Sequence, residues 1–120
     1  MSRALVVKVT CGQEEAERCN QALTVAATAA ASGADVSLWL TGPAAWLGTP
    51  GHAEKFRLEL ATPMADLLST VLASGRVTVC SQCAARREIT EHDLLPGVRI
   101  AGAAVFAEEV LAEGVQALVY

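Results

Sequence analysis

The sequence predicts an α/β protein: a doubly wound, mostly parallel sheet of about five strands with helices on both faces, built as a single domain over residues 1–120. Three observations predict it. Short apolar, β-branched runs alternate along the chain with longer segments of helical period, the pattern of parallel strands joined by right-handed crossovers. The strand-like runs are apolar on successive residues, as in strands covered on both faces. At 120 residues and 12.5 kDa, the chain can bury roughly 65% of the surface its unfolded form exposes, so one core suffices.

Ala4 to Val9 is the first such run, and it ends at Cys11-Gly12. From Glu14 the period becomes helical. Glu14, Glu15 and Glu17 fill the first turn, where the helix dipole favours acids, and Ala16, Cys19, Leu23, Ala26 and Ala30 recur at three- and four-residue spacing until Gly33 stops the helix. Val36 to Leu40 is the second strand, broken by Thr41-Gly42-Pro43. Residues 41–61 carry Gly42, Pro43, Gly48, Pro50 and Gly51 in close succession, and the alternation of Phe56, Leu58 and Leu60 suggests a short extended piece. Thr62 is expected as an N-cap with Pro63 in the first turn of a helix through Leu72 that ends at Ser74-Gly75. Val77 to Cys80 is the third strand and a short helix follows through Arg87. A turn from Thr90 to Leu95 has Thr90 and Asp93 placed to cap. Val98 to Ile100, a helix from Ala103 to Leu111 stopped by Gly114, and a strand from Val115 to Val119 complete the pattern.

Composition narrows the function. Hydrophobic residues make up 52% and charged ones 18%, which leaves little polar material to cover so small a domain and points to a self-associating surface. A net charge of -4 offers no basic stripe for phosphates, and four aromatics besides Tyr120 are few for stacking on bases, so nucleic acid is not an expected partner. The opening run is interrupted at Lys8, too short for a secretory signal and without a small-residue cleavage site, and Ala22 to Ala31 is well short of the roughly 20 residues of a membrane helix. A soluble, cytoplasmic protein with no membrane association is expected. In a reducing compartment its four cysteines read as metal ligands, reactive thiols or small buried hydrophobes rather than a disulfide framework.

Position sorts them. In doubly wound sheets chemistry gathers at the carboxyl ends of the strands, and Cys11 and Cys80 both stand at that edge. Cys80 precedes a helix start, where free N–H groups stabilise a thiolate, so it is either a low-pKa nucleophile or an inert cysteine at a strand end. Cys83 completes a Cys-x-x-Cys, which permits a reversible disulfide, although the Trp-Cys-Gly-Pro context of thioredoxins is absent. Zinc would need two further ligands, and Cys11 and Cys19 are eight apart with Cys19 on an apolar helix face, which argues for core over ligand. Cys11 either faces Cys80 or occupies its loop. His52 and His92 lie in polar loops and are expected at the surface. Arg86 and Arg87 either raise the potential around Cys80 or are solvated at a helix end. Glu108 and Glu109 read as a solvent face of the last helix, Gly12 as part of a weak anion-cradling turn, and Trp46 as a lid residue or a subunit contact.

The segment Val77-Thr-Val-Cys-Ser-Gln-Cys-Ala-Ala-Arg-Arg-Glu-Ile followed by Pro96-Gly-Val-Arg-Ile-Ala-Gly-Ala resembles the DsrE/DsrF-like proteins, including the TusD type of sulfur-relay subunit. The Thr10-Cys-Gly turn, the Gly33-Ala-Asp-Val turn, the Leu40-Thr-Gly break and the closing strand extend the likeness to nearly the whole chain. The resemblance implies a flavodoxin-like sheet, assembly as a homotrimer or homohexamer, and a cysteine after the third strand that accepts sulfane sulfur as a persulfide and passes it on. Cys80 matches that cysteine and Cys83 a second one whose role varies in the family. Glu88 departs from the pattern, standing where the family usually has glycine, so the loop there is expected to differ in shape. The resulting expectation is a sulfur carrier or sulfurtransferase subunit, working with sulfur-donor and sulfur-acceptor proteins and requiring no metal or organic cofactor. A thiol-disulfide switch on Cys80 and Cys83, and a non-catalytic oligomeric binding module, are the alternatives.

Overall fold

The computed structural model describes residues 3–120. Five strands, β1 (Ala4–Val9), β2 (Asp35–Leu40), β3 (Arg76–Cys80), β4 (Val98–Ala101) and β5 (Val115–Val119), form one sheet in the order β4-β3-β2-β1-β5. All four pairings are parallel. The helices are α1 (Ala16–Ala31), α2 (His52–Lys55), α3 (Met64–Ser74), α4 (Ser81–Arg86) and α5 (Ala103–Leu111). From β1 the chain steps outward strand by strand to β4, then returns across the sheet through α5 to pair β5 with the other side of β1. With right-handed crossovers, that reversal puts α1 and α3 on one face and α5 on the other, the doubly wound arrangement expected from the sequence.

The two faces differ in chemistry. Val7 and Val9 of β1, Leu38 and Leu40 of β2, and Val77 and Val79 of β3 point into an apolar core with Leu23 and Ala26 of α1 and Leu68 and Val71 of α3. Each such side chain contributes about 1.5–3 kcal/mol on leaving water. Strand side chains alternate, so Lys8, Trp39, Thr78 and Arg99, opposite one another in register, and Ser37, two residues before Trp39, lie on the α5 face. No residue of α5 is fully buried.

The structure corrects two local expectations. Residues 41–61 contain no strand but a 3-10 segment, Gly42–Gly48, and the single turn of α2. The backbone of Arg57 is held by the Gln13 side chain, which donates to its carbonyl at 2.9 Å and accepts from its N–H at 2.7 Å, and Leu60 turns outward with φ 61°. The helix cap is Pro63, whose carbonyl accepts from Asp66 and Leu67, rather than Thr62. The locked φ of proline places it naturally just before the first turn. The capping box of Thr90 and Asp93 forms as expected.

Candidate functional site

The four cysteines are all unpaired and occupy different environments. Cys19 is fully buried on α1, where desolvation pushes its thiol up to about 12. Cys11 is also buried, with burial first and the Glu14 carboxylate second raising its pKa. Its thiol donates toward the Glu15 carbonyl at 3.8 Å, so of the two readings of Cys11 the loop position holds. Neither thiol ionises readily near neutral pH.

Cys80 is different. It closes β3 in extended conformation and forms the N-cap of α4. Burial alone would raise its pKa, but the N–H and thiol of Cys83, the N–H of Gln82 and the charge of Lys8 outweigh it and hold the thiol below its ordinary value. The sulfur is half-buried, so solvent and a partner retain access. Cys83, one turn on, is buried. The Gly42 amide donates to its sulfur at 3.1 Å, which fixes the side chain and leaves its S–H free to donate to Cys80. Cys80 and Cys83 are thus brought together.

Other expected participants fall elsewhere. Arg86 is exposed at the end of α4, and Arg87 turns back to donate to the Cys83 carbonyl at 3.1 Å, and neither is among the causes that lower the Cys80 pKa. The Gly12 amide already donates to the Glu14 carboxylate at 2.9 Å, which fills the turn that resembled an anion cradle. His52 stacks on Trp46 with ring centroids 5.2 Å apart and bonds Thr49 at 2.9 Å. With Gly12, Pro43 and Phe56 this pair lines a shallow cleft of about 250 Å³ that does not include Cys80. His92 is exposed. Among the described residues no three His, Cys, Asp or Glu side chains are placed to share a metal ion.

Glu109 overturns its reading as a solvent-facing residue. Its side chain is 16% exposed and accepts from Ser37 Oγ at 2.6 Å and Trp39 Nε1 at 3.0 Å, while its second oxygen pairs with Arg99, which in turn donates to Thr78 at 2.7 Å. Burial opposes ionisation, but these donors together hold the carboxyl below its ordinary range. Glu108 alone of the pair is exposed. One sequence signal was available: Glu109 follows Phe106 by three residues, which puts both on one face of α5. Glu88, at which the loop was expected to differ in shape, adopts φ 55°, a left-handed conformation that favours glycine.

Among the described residues no helix is long and apolar enough to cross a membrane. Among curated proteins, none matches the chain. Two solved structures align with it over 100% of both chains: YchN from E. coli, 21% identical with a TM-score of 0.80, and MTH1491 from Methanobacterium thermoautotrophicum, described as a protein of unknown function, 10% identical with a TM-score of 0.65. At these identities the likeness is one of fold. The DsrE/DsrF-like family matches residues 4–119, which with the fold establishes that the chain belongs to that family.

Proposed function

We propose that the protein is a cytoplasmic sulfur carrier in which Cys80 bears a persulfide, received from a donor protein and passed to an acceptor. The observation that supports this most is the contrast among the cysteines. Cys80 alone combines a depressed thiol pKa with access from outside, at the carboxyl edge of a parallel sheet. Its thiolate attacks the terminal sulfur of a donor R–S–SH. The S–S bond breaks, R–S⁻ leaves, and Cys80 holds –S–SH. An acceptor thiolate repeats the step and releases the Cys80 thiolate. The local amides that stabilise the thiolate also stabilise the deprotonated persulfide.

In this reading Cys83 tunes Cys80 through its hydrogen bond. The same closeness also favours a second reading, a reversible Cys80–Cys83 disulfide, and one experiment separates the two. Reduced wild type, Cys80→Ser and Cys83→Ser are exposed to a small persulfide donor and weighed intact. Wild type and Cys83→Ser are expected to gain sulfur and Cys80→Ser none. Loading of Cys80→Ser at the wild-type rate rejects the carrier role of Cys80, and conversion of wild type to an internal disulfide with no retained sulfur favours the switch.

The chain is further proposed to self-associate as a homotrimer or homohexamer. Leu111 of α5 and Val119 of the edge strand β5 are 82% and 64% exposed, with Val119 opposite Lys8 on the α5 side, an apolar surface that a second copy of the chain would cover.

A further inference from the structure

Lys8 sits in β1 with paired strands on both sides and is only partly exposed. A lysine in the body of a sheet incurs a desolvation cost, and a carboxylate normally offsets it. Lys8 has no such partner: among the described residues the ion pairs are Arg18–Glu15, Arg76–Asp35 and Arg99–Glu109. Its Nζ lies 5.0 Å from the centroid of the Phe106 ring. Trp39 fixes that ring edge-on at 5.2 Å. The carboxylate of Glu109, on that face, is already taken up by Ser37, Trp39 and Arg99. A positive charge is therefore held on the α5 face and left without an anion.

Register says what it faces. Lys8 lies opposite Trp39, and Trp39 opposite Thr78. Cys80 is the next residue of β3 on the same face. Two strand spacings and one two-residue step separate the Cα atoms of Lys8 and Cys80 by about 12 Å, a gap of which a lysine stem can span about half. We propose that Lys8 is the residue that binds the anionic sulfur on Cys80, thiolate and persulfide alike. The persulfide half of this assignment rests on the sulfur-carrier reading, and the thiolate half does not. The other titratable or charged groups around Cys80 do not compete: Cys83 on α4 is a donor to it, Arg99 of β4 and Glu109 of α5 neutralise each other, and Arg87 is turned to the Cys83 carbonyl. The charge of Lys8 is among the causes that lower the Cys80 pKa.

The test reads the thiol alone, so it can fail while sulfur loading succeeds, and the reverse. Alkylation of Cys80 in wild type, Lys8→Met and Lys8→Arg is followed by peptide mass across pH with neutral iodoacetamide and anionic iodoacetate. Lys8→Met keeps the apolar stem over Phe106 and removes the charge. A unit charge near a half-buried sulfur is worth several-fold in thiolate population. Lys8→Met is therefore expected to react about fivefold more slowly with iodoacetamide near neutral pH, to reach the same rate at high pH, and to lose additional rate with iodoacetate. Lys8→Arg restores both. Profiles of Lys8→Met that superimpose on wild type with both reagents overturn the assignment. If Lys8→Met does not fold, the iodoacetate-to-iodoacetamide ratio of wild type decides: a ratio that falls with added salt supports it, and a salt-independent ratio overturns it.

Discussion

Replacing Glu109 by alanine removes one carboxylate from three donors at once. Ser37 and Trp39 are 0% and 1% exposed, so their O–H and indole N–H lose a partner that water does not easily replace. A buried donor left unpaired costs about 1–3 kcal/mol. Arg99 is 41% exposed on its side chain, so its loss is partly recovered from solvent and adds little. About 2–6 kcal/mol in all is expected, or a Tm lower by about 8–24 °C in a chain of this length. Glu109→Gln keeps one acceptor and is expected to lose about half as much. The pH dependence has a fixed sign. The folded pKa of Glu109 lies below its ordinary value, so its contribution is present in full above the unfolded value near 4.3 and is lost as pH falls through the folded one. Thermal unfolding of wild type and both variants, followed by circular dichroism from pH 7 down to pH 3, checks this. A Tm change below about 2 °C for Glu109→Ala, or a gap between wild type and Glu109→Gln that does not shrink on acidification, refutes the reasoning.

Two further outcomes are expected. Glu88→Gly relieves a left-handed residue at the end of α4 and, after the added flexibility of the unfolded chain, is expected to raise Tm by about 2–4 °C, with a fall in Tm as the contrary result. Val119→Glu puts a charge on the exposed α5 side of β5 and is expected to convert an assembled form to monomer in sedimentation velocity with Tm of the monomer little changed, whereas an unaltered mass would place the contact elsewhere.

Most strand positions were legible because strands covered on both faces need unbroken apolar runs, and β1, β2 and β3 begin or end within a residue of where those runs do. Helix ends at Gly33 and Gly75 were legible from stop signals. The segment 41–61 was not. Its order depends on side chains distant in sequence, such as Gln13 reaching Arg57, and alternation over Phe56, Leu58 and Leu60 carries no trace of that. Cys80 and Cys83 were placed correctly at the sheet edge from the strand-to-helix transition. Lys8 and Glu109 were missed for a common reason. Periodicity identifies a face but not which helix will cover it, so a charge on the α5 side read as an interruption in one case and as a solvated surface in the other.

That division of the sheet explains why Cys80 differs from the other thiols. Val77 and Val79 face the apolar core while Thr78 and Cys80 face α5. Moved by one residue along β3, a cysteine would enter the side occupied by Cys19, where burial holds the thiol near 12. At position 80 the side chain is only partly buried and packs at the margin of that core, and the end of the strand exposes it to the amides of Gln82 and Cys83. The α5 face already holds charges because Glu109 and Arg99 neutralise one another there, which leaves Lys8 as the uncompensated one. A half-buried anion at the end of β3 is stabilised first by the Cys83 and Gln82 donors of α4, and the charge of Lys8 from the polar row adds to them.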